Sequence, residues 1–303
     1  MSIFLDGLLF GEWSEFNDCP KFKDEFDGAL EFGEWSEFND CPKFGDAFEF
    51  ANVPDDGLFD KNFSFVENVF HSNFIYFVTC QRLSLGYSDE KVVDFALRGG
   101  VRVVQLREKI GEAGGGDYKK DKQVKAFLEK AKKIRELTAR HRSVFIVNDY
   151  VELALRVGAD GVHLGQEDMP LSQARSMAER EGRKLFLGQS THNEDEIEKA
   201  KKDGADYINI GPLFPTNTKE NTVKPIAKSD YNYLIKLVGL AKKLGLTFTV
   251  MGGIKQRHLK SLFEVGCRHV AMVSEICAQK DVVGHVASMV EEMKLLHKEK
   301  IST

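Results

Sequence analysis

Short apolar segments alternate with longer segments of helical charge pattern from residue 74 to residue 297. The apolar segments are continuous, which is typical of parallel strands buried on both faces beneath covering helices. Eight strand–helix units occur within about 230 residues, and this favours a closed (β/α)8 barrel, or TIM barrel, of the α/β class over an open sheet. The predicted strands are 74–79, 101–106, 144–147, 161–164, 184–188, 207–210, 248–251 and 269–273. The predicted helices are 89–98, 123–140, 151–157, 171–181, 193–202, 229–244, 256–264 and 281–297.

The first 72 residues differ from the rest in charge and in aromatic content. They hold 17 acidic and four basic residues, a net charge of −13, whereas the remainder carries +8. They also hold 14 of the 23 phenylalanines. A charge break of this size indicates two physically different segments. We therefore predict an acidic, aromatic-rich N-terminal extension over residues 1–72, in which 51–72 form a linker, and a barrel domain over residues 73–303.

The extension contains an internal repeat, because residues 10–22 (FGEWSEFNDCPKF) recur unchanged as residues 32–44. Two copies are too few for a solenoid, which needs at least three stacked units to bury a core. One interpretation is a weakly ordered acidic extension. The alternative is a pair of linear motifs whose aromatic side chains dock on a protein partner or on the basic barrel itself.

The cysteine content indicates a reducing compartment. The five cysteines form no CxxC or CxxH pair, and the first residues contain no basic or long apolar stretch typical of a secretory signal. We therefore predict a cytoplasmic location and interpret Cys80, Cys267 and Cys277 as core or helix residues. No run of 18 apolar residues occurs, so the sequence predicts no membrane span. We expect neither a membrane nor a nucleic acid as a partner.

Polar residues follow most of the predicted strands. In a (β/α)8 barrel the active site lies at the C-terminal ends of the strands, so these residues are the candidates for chemistry. After the second strand, alternation places Gln105, Arg107 and Lys109 on one side of the chain. The candidates at the other strand ends are Asn148, Asp149, Asp168, Ser190, Thr216, Thr218, Lys219, Gly253, Val273 and Ser274.

Two of these strand ends have the composition of anion sites. Residues 211–219 hold hydroxyls and a lysine on a loop with glycine and two prolines, which suits a phosphate or pyrophosphate. Gly252 and Gly253 after the seventh strand, with Ser274 after the eighth, predict a phosphate cup of backbone N–H groups. The alternative for the two glycines is that they only let the chain turn.

Asp149 and Asp168 follow neighbouring strands and are the candidate metal ligands. Mg²⁺ binds through one or two carboxylates together with substrate oxygens, so the pair suits that ion. The alternative is that the two aspartates form salt bridges with Arg107 or Lys109. No His or Cys cluster predicts zinc. His163 is expected to face the barrel interior, either as a packed histidine or as an acid–base group.

The candidate residues suit the departure of a pyrophosphate group. Its negative charge must be neutralised before it leaves, and a divalent ion with Arg107, Lys109 and Lys219 could supply that neutralisation. This chemistry needs no general base. Two anion sites indicate that two phosphorylated molecules are joined.

Seven segments, taken in order, resemble the thiamine-phosphate synthase family over about residues 74–297: QLREK, VNDYVELAL, GADGVHLGQEDMP, GQSTHN, GADYINIGPLFPTNTK, GGI and VAMVSEI. The resemblance implies a (β/α)8 catalytic domain and a transferase reaction. In that reaction hydroxymethylpyrimidine diphosphate loses pyrophosphate, and the nitrogen of hydroxyethylthiazole phosphate captures the pyrimidinyl cation. Thiamine phosphate and pyrophosphate are the products.

The resemblance also implies roles for individual residues. Arg107, Lys109 and Lys219 would be the catalytic cations on the diphosphate, and Asp149 and Asp168 would hold Mg²⁺. The substrate-binding residues would be Gln105, Arg107, Lys109, Asn148 and Ser190 for the pyrimidine diphosphate, Lys219 for pyrophosphate, and Thr216, Thr218, Gly253, Val273 and Ser274 for the thiazole phosphate.

Two other functions stay open from the sequence. A TenI-like thiazole tautomerase would keep the thiazole-phosphate cup without needing the diphosphate ligands. A non-catalytic scaffold would act through the N-terminal repeats. Residues 110–122 are longer than usual for the family and are interpreted as a lid or as a surface insertion.

Overall fold

Eight parallel strands close into a barrel in the computed structural model, which describes residues 58–110, 122–216, 224–226 and 231–301. Each strand pairs with the next along the chain, and β8 pairs with β1. The predicted (β/α)8 barrel is therefore confirmed. The strands are β1 Phe74–Val78, β2 Val103–Leu106, β3 Val144–Asn148, β4 Gly161–Leu164, β5 Phe186–Thr191, β6 Tyr207–Ile210, β7 Thr247–Met251 and β8 His269–Met272.

Helices follow the strands as the charge pattern predicts. In the described part of the chain they are α1 Leu58–Phe70, α2 Asp89–Arg98, α3 Lys122–Arg140, α4 Val151–Arg156, α5 Leu171–Arg180, α6 Glu194–Lys202, α7 Asn232–Lys243, α8 Leu259–Glu264, α9 Ser274–Cys277 and α10 Val282–Ile301. The helix predicted over 256–264 is divided into a 3-10 turn, Gln256–His258, and α8.

The strands are mainly apolar because both of their faces are buried. Outward-facing side chains such as Phe145, Leu187 and Ile208 belong to a large core shared with the surrounding helices. Inward-facing side chains form a second, smaller cluster that includes Ile146 and Phe186. This arrangement explains why the strands read as continuous apolar runs instead of alternating ones.

Helix α1 corrects the linker predicted over residues 51–72. That prediction is wrong for Leu58–Phe70, which form a helix of 13 residues. Its residues Val66, Val69 and Phe70 are buried in the interior cluster. The Phe70 ring lies 4.7 Å from that of Phe186, a residue that begins a strand. The helix therefore covers the N-terminal end of the barrel, opposite the strand ends where the site is predicted.

The remainder of the predicted extension lies outside the described residues. The repeats at 10–22 and 32–44, the proposed docking role of their aromatic side chains and the weak order of this segment therefore stay predictions. The same applies to most of the candidate lid, because residues 111–121 are outside the described part of the chain.

The bounds of strand β5 differ from the predicted ones. The apolar run predicted a strand over 184–188, but the strand is Phe186–Thr191. Its ladder with β6 continues through polar residues, since Ser190 pairs with Asn209 and Thr191 with Ile210. Ser190 therefore lies within a strand, where backbone pairing fixes its position.

Two of the cysteines are core residues, as predicted. Cys267 and Cys277 are buried, and burial raises the pKa of the Cys267 thiol to about 12 and that of Cys277 to about 11. Both thiols are therefore protonated near neutral pH and are poor nucleophiles. None of the described helices is both long and apolar enough to cross a membrane. The cytoplasmic location stays a prediction.

Candidate active site

Most of the predicted site residues lie at or near the C-terminal ends of the strands. Gln105 lies within β2, Asn148 ends β3 and Ser190 is near the end of β5. Thr216 follows β6, Gly253 follows β7, Val273 follows β8, and Ser274 begins α9. Because the strands are parallel and form one closed barrel, these ends meet at one rim. Thr218 and Lys219 lie outside the described residues, so their roles stay predictions.

The segment after β2 is fixed on both sides. The backbone N–H of Arg107 donates to the Thr79 hydroxyl at 3.0 Å, which joins it to the end of β1. The next residue, Glu108, accepts a hydrogen bond from Lys130 on α3 at 2.6 Å. Arg107 is half-buried and Lys109 is exposed. Because Glu108 is held by a helix, alternation predicts that Arg107 and Lys109 face the opposite side, toward the rim.

Lys130 is the centre of a half-buried ionic cluster that the sequence analysis missed. Its ammonium donates to Asp89 Oδ2 at 3.0 Å and to Gln81 Oε1 at 3.0 Å, in addition to Glu108. Burial works to lower the pKa of Lys130, but Glu108 and Asp89 outweigh it and raise that pKa. Burial raises the pKa of the Asp89 carboxyl, and Lys130 offsets only part of this effect. Lys130 lies on α3 and bonds to Asp89 on α2 and to Glu108. It therefore links both helices to the segment that contains Arg107 and Lys109.

Asp149 has a backbone conformation that is uncommon for a residue other than glycine. Its φ is +64°, in the left-handed region that costs such residues about 1 kcal/mol or more. The conformation is held by its backbone N–H, which donates to the His163 carbonyl of β4 at 2.9 Å. A strained residue held by two strands at the rim is typical of a functional position.

Asp168 lies in the turn after β4 and has a fixed carboxylate. Its Oδ2 accepts from the backbone N–H of Gly165 at 2.6 Å. The other carboxylate oxygen can still serve as a ligand. Asp149 and Asp168 follow adjacent strands, and both supply hard oxygen donors, which suit Mg²⁺. Among the described residues no group of three or more His, Cys, Asp or Glu side chains could hold a metal.

Backbone geometry explains why glycine occupies both positions after β7. Both have positive φ, +99° at Gly252 and +62° at Gly253. A Cβ at Gly253 would lie 2.6 Å from the carbonyl oxygen of Pro215 in the loop after β6. Turn geometry and this close approach are sufficient to explain both residues, so the phosphate cup stays a prediction.

A lysine beside the predicted cup was also missed. Lys255 follows β7, and its ammonium lies 3.0 Å from Glu275 Oε2 and 3.5 Å from the Ser274 hydroxyl. Glu275 Oε1 also accepts from the backbone N–H of Gln256 at 3.0 Å. Burial works to raise the pKa of Glu275, but this N–H and Lys255 outweigh it and the pKa is lowered. Glu275 is therefore ionised and holds a cation next to Ser274.

The barrel interior contains buried polar side chains below the rim. Tyr76, Gln105, His163 and Tyr207 are all buried. The predicted inward orientation of His163 is confirmed, since its Nδ1 lies 3.0 Å from the Tyr207 hydroxyl and its Nε2 lies 3.0 Å from the Ser190 hydroxyl. The tyrosines were missed because they lie within strands that read as apolar.

Cationic, carboxylate and hydroxyl residues that follow the strands of a closed (β/α)8 barrel are typical of enzymes with this fold. Residues 75–276 match the family model described as Thiamine monophosphate synthase. The chain belongs to this family, and it is a transferase. The resemblance inferred from the seven sequence segments is confirmed.

Curated relatives and a solved structure agree with this assignment. A thiamine-phosphate synthase of Caldicellulosiruptor bescii is 35% identical over 226 residues, which cover 75% of this chain and 94% of the relative. A thiamine-phosphate synthase of Shouchella clausii is 36% identical over 208 residues, which cover 69% of this chain and 90% of the relative. The structure of a thiamine phosphate pyrophosphorylase from Pyrococcus furiosus aligns with a TM-score of 0.62 at 27% identity, covering 76% of this chain and 99% of that one. These comparisons support thiamine-phosphate synthase activity.

Proposed function

We propose that the chain joins hydroxymethylpyrimidine diphosphate to hydroxyethylthiazole phosphate, forming thiamine phosphate and pyrophosphate. The observation that carries the proposal is the presence of two separate cationic segments at one rim. One contains Arg107 and Lys109 after β2, and the other contains Lys255 beside Ser274 after β7 and β8. Each suits one phosphorylated reactant.

The first segment binds the diphosphate. Arg107, Lys109 and Lys219 neutralise its charge, while Asp149 and Asp168 hold Mg²⁺. When bound there, the ion adds further positive charge on the leaving group. Gln105, Asn148 and Ser190 orient the pyrimidine ring. The electrostatic stabilisation of a departing anion is the largest contribution that such a site makes to the rate.

The second segment binds the thiazole phosphate. Thr216, Thr218, Gly253, Val273 and Ser274 form the predicted cup, and Lys255 adds a cation that the backbone groups alone do not supply. Glu275 fixes the lysine next to Ser274. The phosphate thereby fixes the thiazole so that its nitrogen faces the pyrimidine.

The bonds that change require no general base. The bond between the pyrimidine methylene carbon and the diphosphate oxygen breaks, and pyrophosphate leaves with the electron pair. The lone pair of the thiazole nitrogen then forms a bond to the same carbon. Because that nitrogen carries no proton, no side chain has to remove one. The residues at the rim therefore act by binding, orientation and charge neutralisation.

The decisive experiment incubates the full chain with both phosphorylated precursors, with Mg²⁺ or with EDTA, and measures thiamine phosphate and pyrophosphate by chromatography. We expect equal amounts of the two products with Mg²⁺ and a loss of both with EDTA. Rearrangement of the thiazole phosphate alone, without condensation, would instead identify the tautomerase alternative.

Two variants and a control test the assignment of the site. Asp149→Asn keeps a side chain that tolerates the left-handed backbone and removes the charge, so turnover should fall by about 100-fold or more with the fold intact. Lys219→Ala should have a comparable effect. Lys236→Ala is the control, since this exposed lysine pairs with Glu194 and lies on α7. Normal turnover in both site variants would reject the assignment.

A further inference from the structure

Five side chains form a continuous hydrogen-bonded path through the barrel interior. Gln105 Nε2 donates to the Tyr76 hydroxyl at 3.1 Å, and that hydroxyl lies 2.9 Å from the hydroxyl of Tyr207. Tyr207 contacts His163, which contacts Ser190, each at 3.0 Å. The path crosses the barrel, because β1 and β6 are not neighbours in the sheet. It connects two residues, Gln105 and Ser190, that we assign to the same substrate.

Gly188 makes this path possible. His163 on β4 pairs in register with Gly188 on β5, which pairs in register with Tyr207 on β6. The tyrosine must therefore pass over the intervening strand to reach His163. A Cβ at Gly188 would lie 2.1 Å from Tyr207 Cζ, so any side chain there would displace the ring. Glycine at this position gives the tyrosine the space that it occupies.

The direction of donation along the path follows from its end at Gln105. The Gln105 amide donates to Tyr76, so the Tyr76 proton is available for Tyr207. Burial raises the pKa of both tyrosines above the ordinary value of about 10, so both hydroxyls keep their protons.

Within the path, the protons of the two buried tyrosines and of His163 then have one arrangement in which each has an acceptor. Tyr207 accepts from Tyr76 and must donate to Nδ1 of His163. In its neutral form His163 then carries its proton on Nε2 and donates to the Ser190 hydroxyl. Ser190 keeps its own proton for a further acceptor. The reverse arrangement would leave the Tyr76 proton without an acceptor on the path, which is costly for a buried group.

We propose that Tyr207 is a positioning residue of the active site, which fixes the Nε2–H tautomer of His163 and thereby the polarity of the pyrimidine pocket. The carboxamide oxygen of Gln105 is the acceptor end of the path, and the Ser190 hydroxyl is its donor end. The role in substrate binding rests on the proposed function, whereas the direction of hydrogen-bond donation along the path does not depend on it.

The polarity identifies the class of ring that the pocket accepts. A pyrimidine that reaches both ends of the path must offer a donor to the Gln105 oxygen and an acceptor to the Ser190 hydroxyl, and an aminopyrimidine has both, in its exocyclic amine and its ring nitrogens. An oxopyrimidine has an acceptor in place of the amine and an N–H in place of a ring nitrogen, which is the opposite pattern. The pocket should therefore select an aminopyrimidine over the corresponding oxopyrimidine, as buried polar groups left without partners weaken binding of the wrong ring.

The first test measures the histidine tautomer by ¹⁵N NMR on the full chain. We expect wild-type His163 to show a protonated Nε2 and an unprotonated Nδ1, assigned by comparison with His163→Gln. In Tyr207→Phe, where Nδ1 has lost its donor, we expect a mixture of tautomers. A wild-type ring protonated on Nδ1 would overturn the proposal without any variant.

The second test measures kinetics of Tyr207→Phe. The ring should stay in place, because Phe186 stacks on it at 5.6 Å and Phe70 lies 4.8 Å away. We expect kcat/KM for the pyrimidine diphosphate to fall by about 10- to 100-fold. The KM for the thiazole phosphate should change less than twofold. Discrimination between amino and oxo forms of the pyrimidine diphosphate should also decrease.

Tyr87→Phe is the matched control, since this tyrosine is exposed and packs against Phe95 outside the barrel interior. It should keep wild-type kinetics and a wild-type His163 signal. Unchanged pyrimidine kinetics in Tyr207→Phe, with wild-type activity present, would refute the positioning role while leaving the proposed function intact. If the wild type formed no thiamine phosphate, the proposed function would fail, and the NMR measurement would still decide the direction of the path.

Discussion

Replacement of Phe70 by alanine tests whether helix α1 is part of the barrel domain. The Phe70 side chain is 2% exposed. Its ring lies 4.7 Å from that of Phe186, 4.8 Å from Tyr207 and 5.0 Å from Phe74. These residues all lie at the starts of strands, so the phenylalanine closes the N-terminal end of the barrel. Alanine would leave a cavity there and would remove these aromatic contacts.

The size of the effect follows from burial and packing. Truncation of a buried phenylalanine to alanine lowers the free energy of unfolding by about 3–5 kcal/mol, which includes the cavity. Helix α1 lies at the end of the barrel and can relax partly into the space, so we expect about 3–4 kcal/mol. In a domain of this size each kcal/mol lowers Tm by about 2–4 °C, which predicts a decrease of about 6–16 °C.

Urea unfolding of the full chain followed by far-UV circular dichroism measures this difference. We choose circular dichroism over tryptophan fluorescence because the two tryptophans, Trp13 and Trp35, lie in the repeats and not in the barrel domain. Asn68→Ala is the control on the same helix, since the Asn68 side chain is exposed and its replacement should change stability by no more than about 0.5 kcal/mol. A similarly small change for Phe70→Ala would show that α1 does not pack as described.

Three further predictions concern the ionic groups around the site. Lys130→Met should destabilise the fold by about 3 kcal/mol, because it leaves the buried Asp89 carboxylate without its cation. It should also lower kcat, because Glu108 and the segment around it are no longer held by α3. An unchanged urea midpoint and an unchanged kcat would contradict this prediction. Lys255→Met should raise KM for the thiazole phosphate about tenfold, as expected from loss of a charged hydrogen bond, whereas equal changes in both KM values would argue against a local role. Because the pKa of Glu275 is lowered, its carboxylate stabilises the fold above pH about 4.5, and this contribution is lost as the pH falls through the lowered pKa. The difference in urea midpoint between wild type and Glu275→Gln should therefore decrease from pH 7 to pH 3, and a constant difference would refute the reasoning.

The barrel was predictable because its signal is local. Each strand is buried on both faces and each helix on one face, so the pattern of apolar residues in the sequence indicates both kinds of element. Helix α1 was not predicted, although Phe63, Val66 and Phe70 follow one another at helical spacing. The acidic composition of the first 72 residues hides that pattern, because this segment includes one helix of the barrel domain along with the acidic repeats.

The site was predictable only where topology alone determines position. A residue that follows a barrel strand must lie at the C-terminal rim, which is why Arg107, Asp149 and Ser274 could be selected without coordinates. Lys130 could not be selected, since it lies on a helix and acts through carboxylates that are distant in sequence. Lys255 follows β7 and the same rule could have selected it, but its ion pair with Glu275 could not be predicted. Sequence spacing contains no information about such pairs.

Tyr207 shows where a sequence signal existed and how it could have been read. A tyrosine at the start of an apolar strand looks like an ordinary core residue. Gly188 within β5 was the informative position, because a glycine inside a strand indicates that another group approaches closely. Register was then needed to identify that group, and register depends on the pairing of β5, whose predicted bounds were wrong by two residues at the start and three at the end. Strand bounds alone do not set register, so the approach of Tyr207 to His163 over Gly188 could be seen only in the structure.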